Sequence, residues 1–259
     1  MEDKNLISVQ KYAAKNKCSV YSVIKQVNLG QLPSLKKDGI VYIVNNVIEK
    51  NRTNEEHKMR RFEFSVDDKL IFKEIMNSCD YGTLCLSDEK VPYGVPLNFV
   101  WIDDAVVFHG ASEGKKVEII SKNPNVFFNV IKPYSFIPSY FSNTKSACPA
   151  TQFFASISLE GVAKVVTDLS IKAHFLNALM EKMQPEGEYE HIDSTNPIYT
   201  KALEKTALFK IDPLSVSVKI KAAQNLNNRA KEELKIYLQK RGTKMDLATI
   251  GLMDSFVTT

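Results

Sequence analysis

The residue types most able to do chemistry gather in one short stretch, FHGASEGKK, Phe108–Lys116. A strand by composition, Ala105–His109, ends at Gly110, where a backbone without a Cβ can approach a ligand closely. Ser112 is a good N-cap for a helix expected to begin near Glu113. Free N–H groups at a helix start carry partial positive charge and suit an anion. Lys115 and Lys116 add two full charges in that first turn, where the helix dipole disfavours cations. A phosphate would offset that cost. The same pattern also fits a solvated helix start, and these residues alone leave both readings open. His109 reads either as a proton donor or cofactor contact, or as a hydrogen-bonded histidine at a strand end.

Other chemistries find no support. Cys18, Cys79, Cys85 and Cys148 are scattered, with no CxxC pair for zinc or a redox dithiol. The carboxylates form no metal-ligand cluster, and no nucleophile–His–Asp order emerges. His57, His174 and His191 read as structural or surface residues, and Phe99 and Trp101 as strand residues of a core.

The elements that must position the corner are mostly strands. YGTLCLS, YGVPLNFVWI, AVVFHG, NVFFNVI, QFFASISLEGVAKVV and TALFKIDPLSVSVKI have strand lengths and residue types. VDDKLIFKEIMNSC reads as an amphipathic helix with Leu70, Ile71, Phe72 and Ile75 inward. LSIKAHFLNALMEKM and RAKEELKIYLQKR are further helices. A long loop is expected over Lys132–Thr151, carrying Tyr134, Phe136, Tyr140 and Phe141. Closely spaced strands with few helices predict a mainly β (α+β) fold, a barrel that closes its own edges.

The net charge of +4 is unevenly placed. Residues 1–61 hold twelve Lys/Arg against six acids, so the basic character belongs to the N-terminal quarter. There Ser8 can cap a short helix with Val9, Tyr12, Ala13 and Ala14 as apolar positions. Ser19 can cap a second helix with Val20, Val23, Ile24 and Val27 on one face. GQLPSLKKDGIVYIV follows as a two-strand wing around an Asp-Gly turn. This unit resembles the winged helix-turn-helix of excisionases. The resemblance implies that Tyr21, Ser22, Lys25 and Gln26 face a DNA groove and that Lys36 and Lys37 touch phosphate. An appendage for oligomer contacts is the plainer alternative. The expected organisation is a helix-turn-helix-like domain over 1–48, a linker over 49–58, a barrel over 59–221 and a helical tail over 222–259. No apolar run has bilayer length and the N-terminus lacks a signal-peptide core, so the chain is expected to be cytoplasmic, with no membrane partner.

Met59–Arg61, the PYGVPLN of Pro92–Asn98, Phe108–Lys116 and the Lys-Asn-Pro of Lys122–Pro124 together resemble the FMN-binding split-barrel superfamily of pyridoxamine 5′-phosphate oxidase, in its nitroimidazole-resistance branch. The resemblance covers about residues 59–221. It implies a split β-barrel with FMN as cofactor, the backbone of Val95, Pro96, Leu97 and Asn98 along the flavin ring, and His109 and Gly110 near the ring or ribityl chain. It also implies that Lys115 and Lys116 hold the phosphate, that His109 is catalytic, and that a homodimer carries the flavin at its interface. The parent oxidase has Arg-Lys at the corner, so Lys115 departs in type but not in charge. The oxidase's C-terminal substrate motif has no match here, so pyridoxamine phosphate oxidation is not expected. A small nitro-aromatic or quinone-like acceptor is. The alternatives are a DNA-binding regulator that senses a flavin or small ligand, and a related barrel that holds haem.

Overall fold

The computed structural model describes residues 6–15, 20, 23–24, 27, 34–37, 40–44, 60–88, 91–142 and 144–256. It contains two compact units, Met1–Lys58 and Met59–Thr259.

The first unit holds β1 (Leu6–Ser8), α1 (Val9–Lys15), β2 (Ser34–Lys37) and β3 (Ile40–Val44). The strands form an antiparallel sheet in the order β1-β3-β2. Ser8 Oγ accepts the Lys11 N–H at 3.2 Å, as an N-cap does. Lys37 stands opposite Ile40, the register of a two-residue hairpin whose turn residues lie outside the described ones. Val9, Ala13, Val23 and Ile43 form a small core, with Tyr12, Val27 and Val41 around it. Val20 and Ile24, expected on the same face as Val23 and Val27, are exposed instead.

The second unit contains β4 (Ser65–Val66), α2 (Lys69–Ser78), β5 (Tyr81–Ser87), β6 (Pro92–Asn98), β7 (Val100–Ile102) and β8 (Ala105–Gly110). Then follow α3 (Lys115–Lys122), β9 (Asn125–Ile137), β10 (Thr151–Val166), α4 (Leu169–Met183), α5 (Pro197–Lys205), β11 (Ala207–Lys221), α6 (Asn228–Arg241) and α7 (Lys244–Ser255). The sheet runs β6-β5-β9-β10-β11-β8-β7, all antiparallel, with β4 pairing β11 off this path. Its two outermost strands, β6 and β7, are consecutive in the chain, with Phe99 alone between them. The sheet must therefore curl until its two edges nearly meet, which makes a split barrel. Asp103 and Asp104, with φ of 50° and 53°, turn the β7–β8 hairpin, the left-handed pair a two-residue turn requires.

Alternation along the strands fills the barrel. Phe99, Phe108, Phe128 and Phe209 are fully buried in it. Burying a phenylalanine side chain contributes about 1.5–3 kcal/mol. β8 is buried on both faces. Val106 and Phe108 point into the barrel, whereas Val107 meets Leu208, Phe175 and Leu179 under α4.

Two expectations are corrected. Leu70 is 79% exposed, and Ile75 and Met76 are the buried residues of α2. Leu70 lies ~140° around the helix from Ile75 at ~100° per residue. The expected loop from Lys132 is shorter, because β9 continues to Ile137 by pairing with β10 at Gln152–Phe136 and Thr151–Ile137. Tyr134 and Phe141 are buried, while Phe136 and Tyr140 are exposed.

The C-terminal helices belong to the same core through Leu234, Leu238 and Met253. The helix α7, which sequence patterning did not reveal, starts at a capping box between Thr243 and Asp246. Asp246 is fully buried and accepts hydrogen bonds from Ser135 Oγ and the Arg241 guanidinium. Among the described residues no helix is long and apolar enough to cross a membrane.

Candidate functional site

The β8–α3 corner is built differently from the expected cap. Ser112 does not cap the helix. Gly114 does, at φ 107° and ψ 177°, a conformation open to glycine but not to side-chain-bearing residues. The helix therefore begins at Lys115 rather than near Glu113, and no side chain caps it. The Val117 and Glu118 N–H groups donate to the Gly114 carbonyl at 2.9 and 3.1 Å. The N–H groups of Lys115 and Lys116, the first two of α3, find no acceptor among the described residues and suit an anion.

Lys116 is half-buried beside them. Its Nζ lies 5.4 Å from the Phe108 ring centroid and 5.3 Å from that of Phe209, above two rings stacked at 5.0 Å. No carboxylate reaches it among the described residues, and burial pushes its pKa below the ordinary lysine value. A Cβ at Gly110 would fall 2.4 Å from this Nζ, so the glycine is what lets the ammonium rest on the strand end. Lys115 is exposed and its Nζ lies 4.8 Å from the Tyr93 ring centroid, which joins the corner to the start of β6. Beside the corner lies a cavity of about 390 Å³, bordered by Ser112, Val117, Ala207 and Phe209.

The other side of the split is the open edge of β6. This strand pairs only with β5, Ser87 opposite Pro92, Cys85 opposite Gly94 and Thr83 opposite Pro96. Proline has no N–H, so Pro92 and Pro96 occupy positions whose backbone points away from β5. Gly94 and Asn98 share that phase. The edge therefore offers the N–H groups of Gly94 and Asn98 and the carbonyls of Pro92, Gly94 and Pro96 to a ligand. Val95 and Leu97 lean their side chains on the barrel core, Pro96 is exposed, and the Asn98 amide donates to the Asp80 carbonyl at 3.0 Å.

Gly110, Lys115, Lys116 and the start of β6 thus come together. His109 does not share their face. By strand alternation it follows Val107 and sits opposite Leu208, while Phe108 and Gly110 face Lys116. Desolvation, and then the Lys116 charge, push its imidazole below the ordinary histidine value. Of the residues expected to meet DNA, Lys36 is exposed on β2 and Lys37 ends that strand. Tyr21, Ser22, Lys25 and Gln26 lie outside the described residues. Among the described residues no group of three or more His, Cys, Asp or Glu is placed to hold a metal. Sequence reasoning missed Tyr93 and Phe209. Tyr93 lay inside the PYGVPLN motif, but nothing local distinguishes Phe209 from any other strand aromatic.

Comparisons with known proteins agree with this architecture. A family model described as pyridoxamine 5′-phosphate oxidase matches residues 72–220. No curated protein matches the sequence. Among solved structures, the flavocytochrome Anf3 from Azotobacter vinelandii is 22% identical with a TM-score of 0.55, over 65% of this chain and 74% of that one. The FAD and haem binding protein from Mycobacterium smegmatis is 17% identical with a TM-score of 0.51, over 60% and 72%. A protein described as a 5-nitroimidazole antibiotic resistance protein from Bacteroides thetaiotaomicron is 21% identical with a TM-score of 0.49, over 60% and 86%. The first two likenesses establish the fold. Since the family model spans more than half of the sequence, including both sides of the split, the chain belongs to the pyridoxamine 5′-phosphate oxidase family.

Proposed function

We propose that the second unit is an FMN-binding oxidoreductase that passes electrons from reduced flavin to a small nitro-aromatic or quinone-like acceptor. The observation that carries this reading is the half-buried Lys116 ammonium, without a carboxylate partner among the described residues and beside the start of α3, which no side chain caps. A charge left this way is an anion site waiting for its anion, and the FMN phosphate fits it. The ring then lies along the open edge of β6, whose backbone donors and acceptors at Gly94–Asn98 match the polar rim of a flavin. FMN supplies the redox chemistry; the chain's own residues bind, orient and exclude water. His109 stays the proposed proton donor of this reading although its side chain lies on the other face of β8 from Lys116, and its lowered pKa favours the neutral imidazole, which must collect a proton before delivering it. In this reading two copies pair through the uncovered sheet face, where Phe127 and Ile131 are exposed, and the flavin sits at their interface.

The visible spectrum of the purified protein is the first test. Two broad flavin bands, or their appearance on adding FMN to colourless protein, support the reading. An intense Soret band would assign the site to haem, the group paired with a flavin in the M. smegmatis protein's description. Protein that takes up no FMN at all refutes the reading.

A second activity is favoured by the exposed Lys36 beside the Lys37 hairpin end and by the excess of Lys/Arg in residues 1–61. We propose that the first unit binds duplex DNA through phosphate contacts. Full-length protein should bind random duplex with a steep salt dependence, and a form lacking residues 1–58 should lose that binding while keeping FMN. Equal, weak binding by both forms would leave the first unit as an appendage.

A further inference from the structure

We propose that Lys182 is a positioning residue for the cofactor site: it ties the end of β6 to the end of α2 and so fixes where the open edge of β6 stands. The role rests on the flavin reading above.

Lys182 lies in the last turn of α4. Its Nζ donates to three backbone carbonyls, those of Met76 at 2.9 Å, Cys79 at 2.7 Å and Phe99 at 2.9 Å. It also sits 3.9 Å from the Phe99 ring centroid. Met76 and Cys79 close α2, whose last carbonyls lack helical partners and carry partial negative charge. Phe99 is the fully buried residue between β6 and β7, where the two edges of the barrel are joined. An ammonium has three donors, and here three acceptors from two separate segments, the end of α2 and Phe99, use all of them. The clamp thus anchors the one residue that follows the Gly94–Asn98 edge.

The clamp titrates in an accessible range. Burial pushes the Lys182 pKa down to about 8, while Cys79 and Asp80 at the end of α2 pull it back up. Lys132 on β9 acts on the same Cys79 thiol. β6 and β7 contribute one titratable group, Tyr93, and Glu181 precedes the lysine on its own helix. A neutral amine keeps two donors, so raising the pH through this value releases one carbonyl and weakens the ring contact. The edge of β6 then loses its fixed position, and affinity for a ligand lying along it falls. Trp101, the single tryptophan, reports on the same junction without any flavin. It follows Phe99 by two residues and meets Phe72 of α2 edge-to-face at 4.8 Å.

The test uses the full chain as wild type, Lys182→Arg and Lys182→Met, from about pH 6.5 to about 9.5. FMN affinity and Trp101 emission are followed together, with circular dichroism to confirm folding. Wild type should lose FMN affinity about tenfold on the alkaline side, with the emission changing around the same midpoint. Lys182→Arg, charged throughout, should stay tight and flat. Lys182→Met should bind about tenfold more weakly at every pH, also flat. Should the methionine variant not fold, the wild-type profile against that of the arginine variant decides. Wild-type protein that binds FMN with flat affinity and flat emission overturns the role of Lys182 alone, as does a methionine variant of wild-type affinity. Wild-type protein that binds no FMN at any pH overturns the flavin reading, and this role with it.

Discussion

Two charged groups, Asp246 on α7 and Lys116 on α3, are both taken out of water, and their surroundings could hardly differ more. The Asp246 carboxylate is fully buried and fully partnered, by Arg241, Ser135 and Thr243. Arg241 extends the network to the Phe136 carbonyl at 3.0 Å and rests over the Phe141 ring. The Lys116 ammonium is half-buried over two rings with no carboxylate among the described residues. A satisfied charge holds elements together; an unsatisfied one in a cleft costs stability and is retained where a ligand completes it. By that criterion the α6–α7 cluster reads as structure and the β8–α3 corner as the proposed site.

The largest effect should come from breaking the satisfied side. Asp246→Ala leaves the Arg241 charge and the Ser135 hydroxyl without their partner and should lower unfolding free energy by about 3 kcal/mol, read from urea titration. The pH dependence has a definite sign. Arg241 first, then the Ser135 and Thr243 hydroxyls, hold this carboxyl well below the usual carboxylate range. Its contribution is complete above the unfolded-state value of about 3.9 and is lost as pH falls toward the lower folded value. Wild type should therefore unfold in acid more steeply than the variant. Equal acid profiles would mean the cluster contributes nothing.

Gly110→Ala sharpens the comparison from the other side. The methyl group would meet the flexible end of Lys116 rather than backbone, so the ammonium moves and the fold stays. FMN affinity should fall about tenfold with little change in unfolding. Full affinity in this variant would mean the ammonium need not rest on Gly110.

The smallest effect concerns His109. Because the Lys116 charge, after burial, lowers its pKa, Lys116→Met should move the histidine's NMR titration midpoint upward. No movement would separate the two side chains electrically.

These contrasts explain what the sequence could and could not reveal. Most strands and the position of the FHGASEGKK corner are written in local patterns, but YGVPLNFVWI, read as one strand, is split at Phe99 into β6 and β7 on opposite edges of the sheet, because sheet closure is not a local property. The helix start was misplaced because a serine and a glycine, both good caps, stand two residues apart, and only the backbone angle at Gly114 decides between them. Leu70 fell outside the buried stripe because Ile71, Phe72, Ile75 and Met76 define that stripe and Leu70 lies ~140° around the helix from Ile75. Lys182 and Asp246 look like ordinary helix-surface charges in sequence. Their partners Phe99 and Ser135 lie far away along the chain, so burial and partnership appear only once the barrel has closed. The T-x-x-D of Thr243–Asp246 was the one local signal for α7.

The central claim is that Lys116 waits for a phosphate, and one paired titration tests it. Wild type and Lys116→Ala are each titrated with FMN and with riboflavin, and their urea stabilities are compared. The account predicts that the variant binds FMN about ten- to a hundredfold more weakly, through loss of a charge-assisted contact of roughly 1.5–3 kcal/mol. It predicts nearly equal riboflavin binding, and unfolding unchanged or raised by up to ~0.5 kcal/mol as an unpaired cation leaves a helix start. Unchanged FMN affinity together with a clear loss of stability would contradict it, and would make Lys116 a structural lysine.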